Sequence, residues 1–182
     1  MPLYITAQAI GIAAMGANVA SYQFKKGRQI LLLQLIGSAL FAVNMFMLGA
    51  MMGGLLNLVG IARSIVYMRL GEKKKHSPLV EAVFISLYLL SYALTFTVLG
   101  KSPTVTNLIV ELLPVLGMTA FTIGAALGSA RTIRLFGFIS SPCWLIYNIV
   151  SLAVGGILCE VFALISNLSA FLRYDVRKRG AE

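Results

Sequence analysis

The chain has 182 residues, of which 59% are hydrophobic and 12% charged, with a net charge of +9 and a mean hydropathy of +0.89. A soluble domain carries about 25% charged residues, so half the usual solubilising charge is missing and an ordinary soluble fold is excluded. The positive charge falls in short segments between apolar blocks of bilayer length, about 20 residues each, which fits membrane orientation and argues against nucleic acid as a partner.

Seven spans are predicted, at 3–22, 28–48, 51–70, 79–99, 106–127, 132–150 and 152–173. No cationic residue precedes the first, which argues against a cleaved signal peptide. Lys25, Lys26 and Arg28 follow it. Arg69 with Lys73, Lys74 and Lys75, then Arg131 with Arg134, then Arg173 with Arg177, Lys178 and Arg179 fall on the same side. The opposite loops at 49–51 and 151–155 carry no charge, and 100–105 has only Lys101. The N-terminus is therefore expected outside and the C-terminus in the cytoplasm. A six-span alternative would force one basic cluster to the wrong side. His76 stands in the Lys-rich loop and reads as solvated.

Sliding the chain by 103 residues lays the first three spans on the last three, pairing Arg28 with Arg131, Ser38 with Ser141 and Gly53 with Gly156. A slip of one residue would instead pair Asn44 with Asn148 and Arg69 with Arg173. Loop lengths and charge signs repeat as well. Two three-span units of one orientation need an odd span between them, and 79–99 supplies it. The expected fold is an all-α membrane protein of seven transmembrane helices in a 3+1+3 parallel-repeat arrangement, SWEET-like in class. Its parts are a first repeat at 1–70, a cytoplasmic loop and linker helix at 71–105, a second repeat at 106–174 and a cytoplasmic tail at 175–182.

Residues 140–174 carry the densest polar load at membrane depth. Trp144, Tyr147 and Asn148 close one span, and Glu160 and Asn167 sit inside the next. Hydrocarbon tolerates such groups only where they face protein or a hydrated cavity, so this hairpin is the expected wall of a polar site. Arg63 lies about 18 Å along its own span. A mid-membrane Arg costs around 2.5–3.5 kcal/mol on insertion scales, so a partner is expected. Glu160 and Glu111 are the candidate acids, and Glu160 is preferred. It sits about 12 Å from the start of its span, roughly 6 Å above Arg63. The other readings of Arg63 are a purely structural ion pair or snorkelling to headgroups.

The repeat sets Glu160 opposite Asn57 and Ser166 with Asn167 opposite Arg63, giving an outer Asn/Glu layer and an inner Arg/Asn layer about a shared axis. Asparagines in packed spans also simply bond a neighbouring helix, for about 0.6 kcal/mol on average. Trp144 offers a flat face for stacking on a ring, or for packing. No span holds a histidine, Cys143 and Cys159 lack metal-ligand spacing, and no phosphate loop or nucleophile–base pair occurs. Neither an enzyme nor a cofactor is expected.

The motifs VELLPVLG at 110–117, CWLIYN at 143–148, GGILCE at 155–160 and ISNLSAFLR at 165–173 resemble the YgjV family of bacterial inner-membrane proteins over most of the chain. The resemblance implies a bacterial inner membrane location and a distant kinship with PQ-loop/SWEET-like carriers of small solutes. Cys143, Trp144 and Tyr147 are similar to the C…W..YG segment of SWEETs. Asn57 with Gly60 resembles their Asn-containing third span, and Asn167 is the nearest counterpart in the last. SWEETs bend four spans at prolines. Pro114 and Pro142 match as hinges, whereas Gly11 and Ala39 occupy the first-repeat positions, so hinging is expected to be asymmetric. The implied function is small-solute transport from a site between the repeats, with the lipid bilayer and a small polar solute as partners, and a homo-oligomer is compatible. The rival is a non-transporting membrane scaffold or accessory subunit.

Overall fold

Lipid offers no hydrogen bonds to a backbone, so apolar runs of this length satisfy their own amides as helices. The computed structural model describes residues 2–21, 27–70, 77–127 and 130–172. These form seven helices and no strand: α1 (Pro2–Ser21), α2 (Gly27–Met47), α3 (Met51–Leu70), α4 (Pro78–Thr97), α5 (Val105–Ala126), α6 (Ala130–Val150) and α7 (Val154–Phe171). Each helix begins and ends within two residues of a predicted span. Stretches in α1, α3, α4 and α5 are long and apolar enough to cross a bilayer, while the apolar stretches Leu35–Met47 and Val154–Ser169 of α2 and α7 are shorter. Large apolar side chains stand exposed on every helix, Leu3, Leu58, Leu79, Ile139 and Phe162 among them. In water such a surface would aggregate; against lipid tails it is the natural exterior. The basic residues Lys25, Lys26, Lys73, Lys74 and Lys75, and the tail from Arg173, lie outside the described residues.

The turns show how the chain reverses at one end of the bundle. Gly49 ends α2 at φ +74° and Gly100 follows α4 at φ +71°, the left-handed caps that glycine adopts without a Cβ penalty. After α6 the same conformation falls on Leu152, at φ +52°. Gln8 of α1 holds that turn from the side. Its Nε2 donates to the Leu152 carbonyl at 2.7 Å, and its Oε1 accepts the Val154 amide at 3.0 Å.

Two of these turns are the same structure. The Ala50 amide donates to the Met45 carbonyl and the Ala153 amide to that of Asn148, both at 2.9 Å. The Leu48→Asn44 and Ser151→Tyr147 bonds match in the same way. Each partner stands 103 residues after its counterpart, as do the starts of α5, α6 and α7 after those of α1, α2 and α3. Backbone bonding thus aligns Asn44 with Tyr147, and the slipped register that would pair Asn44 with Asn148 is not the one the turns use.

Packing follows chain order. α1 lies on α2 and α2 on α3; α5 lies on α6 and α6 on α7. α7 returns to α1, α3 meets α5, and α4 leans over the α3–α5 seam. Small residues allow the close approaches, as expected where lipid removes any hydrophobic drive between helices. At the α1–α7 seam, a Cβ added to Gly155 would lie 2.1 Å from the Gly11 carbonyl carbon. Asparagines seat on glycines elsewhere. Asn44 donates to the Ala7 carbonyl at 2.7 Å beside Gly11. The buried apolar core includes Met45, Met52, Leu56, Tyr88, Val115 and Tyr147, and most of it lies in the half of the bundle that holds the α2–α3 and α6–α7 turns.

Candidate functional site

Six of the helices, all but α4, line a cavity of about 200 Å³. Five pairs of its lining residues stand 103 positions apart: Asn18 and Phe121, Ser38 and Ser141, Phe41 and Trp144, Met45 and Asn148, Asn57 and Glu160. One unit of the chain faces the other across it. The serine pair is identical and Phe41 and Trp144 are both aromatic, while the other three pairs differ in chemistry, so the matched positions carry largely unlike groups.

Of the residues predicted for a polar site, Asn57, Arg63, Trp144, Asn148 and Glu160 share this cavity. Arg63 finds a setting different from the one expected. Its Nη1 donates to the Thr122 hydroxyl at 3.0 Å and to that of Tyr88 at 3.2 Å. These two hydroxyls are themselves 3.0 Å apart. The guanidinium carbon stands 4.8 Å from the centre of the Phe121 ring, where the electron-rich face attracts a cation.

The expected Arg63–Glu160 ion pair is not formed. α7 begins at Val154 rather than at 152, because Leu152 and Ala153 belong to the turn. Glu160 therefore lies about 9 Å along α7 and Arg63 about 18 Å along α3, leaving roughly 9 Å of depth between their Cα atoms. Glu111 is not the partner either. It pairs with Lys101, whose side chain is 37% exposed while that of Glu111 is 2% exposed. The lone charge in the 100–105 loop, ten residues before a buried acid, was the available signal for this pair.

Glu160 instead lines the cavity together with Ser141 of α6. Asn57 donates to the Gly53 carbonyl one turn back at 2.8 Å. Asn148 is 3% exposed, and its Oδ1 has no hydrogen-bond partner among the described residues. It lies so near Gly156 that a Cβ there would come within 2.6 Å of its amide. Trp144 stands edge-on to Tyr147, at 6.0 Å between ring centres and 90°, with one edge in the slot left by Gly117.

Two predicted residues lie elsewhere. Tyr147 is 1% exposed and sits behind the cavity wall, its hydroxyl accepting the Gly53 amide at 2.9 Å. That amide belongs to the first turn of α3, where no intrahelical acceptor is available. Asn167 donates to the Arg134 carbonyl at 2.8 Å and packs on Gly137, joining α7 to α6 outside the lining. The proposed hinges Pro114 and Pro142 are both inside helices, where each removes one backbone hydrogen bond from its ladder. Sequence reasoning missed Thr122 and Tyr88 as partners of Arg63, since contacts 59 and 25 residues away leave no local spacing.

Residues 5–178 match the family described as Imp-YgjV, bacterial inner membrane protein. The chain is also 26% identical over 183 residues to inner membrane protein YgjV of Escherichia coli strain K12, across all of this chain and 92% of that relative. No solved structure matches it. The family match runs through every helix that lines the cavity, and the chain belongs to the YgjV family of bacterial inner membrane proteins.

Proposed function

We propose that this protein is a small-solute carrier of seven membrane spans, with its site in the cavity between two parallel three-helix units. The observation that carries this reading is the set of lining pairs at a constant offset of 103 residues. A site shared by two related units on their common axis is the arrangement of carriers built from parallel repeats. The duplicated turns and equal helix offsets support the same plan, with α4 as the odd connector. The exchange of units also maps the α3–α5 contact onto the α7–α1 contact.

In this reading the loop charges support the N-terminus outside and the C-terminus in the cytoplasm. Transport would rock one unit against the other, with Pro114 and Pro142 absorbing the change in the second unit only. One guanidinium, one carboxylate and several amides and hydroxyls can bind and orient a solute, and chemistry on it is not part of the reading.

Two measurements test this. A reporter fused at Ser102 should read the external side, and a cytoplasmic signal there would reverse the orientation. Purified protein in liposomes should take up at least one labelled solute from a panel of monosaccharides, nucleosides and small amino acids above protein-free vesicles. Uptake of none by a folded protein would favour a scaffold or accessory subunit instead.

A further inference from the structure

We propose that the cavity takes a small zwitterion, with its anionic end at Arg63 and its cationic end at Glu160. This rests on the carrier reading above and names the class of solute. Two opposite charges line one cavity without pairing. Arg63 engages only Nη1 with protein oxygens, so Nη2 and Nε have no partner among the described residues. A guanidinium presents such donors as a planar fork that matches a carboxylate. Glu160 lines the same cavity, and a carboxylate has room for several donors.

The side of the cavity toward the α6–α7 turn thus offers the Glu160 carboxylate as an acceptor, which suits the N–H groups of an ammonium, and the side at Arg63 offers donors. Isolated charge in a poorly solvated site is costly, and a partner of opposite sign relieves it. An anion would relieve Arg63 alone, a cation Glu160 alone, and a neutral polyol neither; a zwitterion relieves both.

Geometry narrows the class further. The two Cα atoms differ by roughly 9 Å in depth, more than an α-amino acid's adjacent charges bridge without long reaches from both sides. Phe41, Trp144 and Met118 supply apolar wall between the polar groups, which suits a short aliphatic spacer. The volume of about 200 Å³ is below the usual range for drug-sized ligands, about 300–1,000 Å³. A compact ω-amino acid is the simplest molecule with these properties.

The test uses the full-length protein in lipid nanodiscs, with glycine, β-alanine, γ-aminobutyrate and 5-aminovalerate as probes. Each is compared with its N-acetyl and its amide derivative, and glucose and uridine serve as uncharged probes. Binding is read by calorimetry and by the thermal unfolding midpoint. At least one of the longer free zwitterions should bind, and blocking either charge should weaken it at least about tenfold, as loss of one charged hydrogen bond implies. Arg63→Gln should abolish discrimination against the amide, and Glu160→Gln discrimination against the N-acetyl form. A purely structural role for either residue would not separate these two effects. Should the variants misfold, the derivative series on the native protein decides alone. Binding of glucose or uridine but of no zwitterion, or equal binding of the blocked forms, overturns this inference and leaves the carrier reading. Binding of no probe by a folded protein overturns both.

Discussion

Arg63 shows how a membrane protein keeps a guanidinium at depth without a carboxylate beside it. Two hydroxyls and an aromatic face hold it, and neither needs a second charge to be desolvated. Its depth was legible in the sequence, because position along an apolar span is simple arithmetic. Its partners were not, since a hydroxyl on another helix leaves no trace in spacing. Asn167 teaches the opposite lesson. Read as a wall of the site, it bonds the Arg134 carbonyl over Gly137 instead. Asn167→Ala should therefore lower the unfolding midpoint modestly, by the equivalent of about 0.6 kcal/mol, and leave solute uptake at the native level. Uptake assays beside thermal unfolding in detergent will show whether the loss falls on stability alone.

At the scale of elements, the apolar blocks located every helix because hydrocarbon leaves the backbone no other solution. The start of α7 differed for a specific reason. Leu152 takes a left-handed conformation that sequence patterns assign to glycine, and Gln8, more than a hundred residues away, supplies the bonds that secure it. The helix seams carry a sharper prediction. Gly155→Ala places a methyl against the Gly11 backbone at 2.1 Å, and backbone cannot turn aside as a side chain does. A loss of about 1–3 kcal/mol, or failure to fold, is expected from such overpacking. Gly16, with nothing within 4 Å of its Cβ direction, should accept alanine with a gain of up to about 1 kcal/mol in helix propensity. Equal melting of the two variants would mean that the α1–α7 seam is not closely packed.

At the scale of the whole molecule, residues 103 positions apart in the chain line one cavity with largely unlike chemistry. The register of 103 residues could be read from the sequence, and the same register orders the cavity lining. Asn57, Arg63, Trp144, Asn148 and Glu160 could be read as sharing one site and do line the cavity. Which group bonds which could not be read, because apolar faces pack by shape and leave no spacing signal for contacts between helices. Uptake by the Arg63→Met/Glu160→Gln protein tests the central claim most directly. A pair of buried charges that only stabilises a fold can often be replaced by neutral groups at little cost. The double variant is expected to insert and melt as a folded protein, yet to take up none of the labelled solute that the native protein carries. Uptake at the native rate by that well-folded variant would contradict the account.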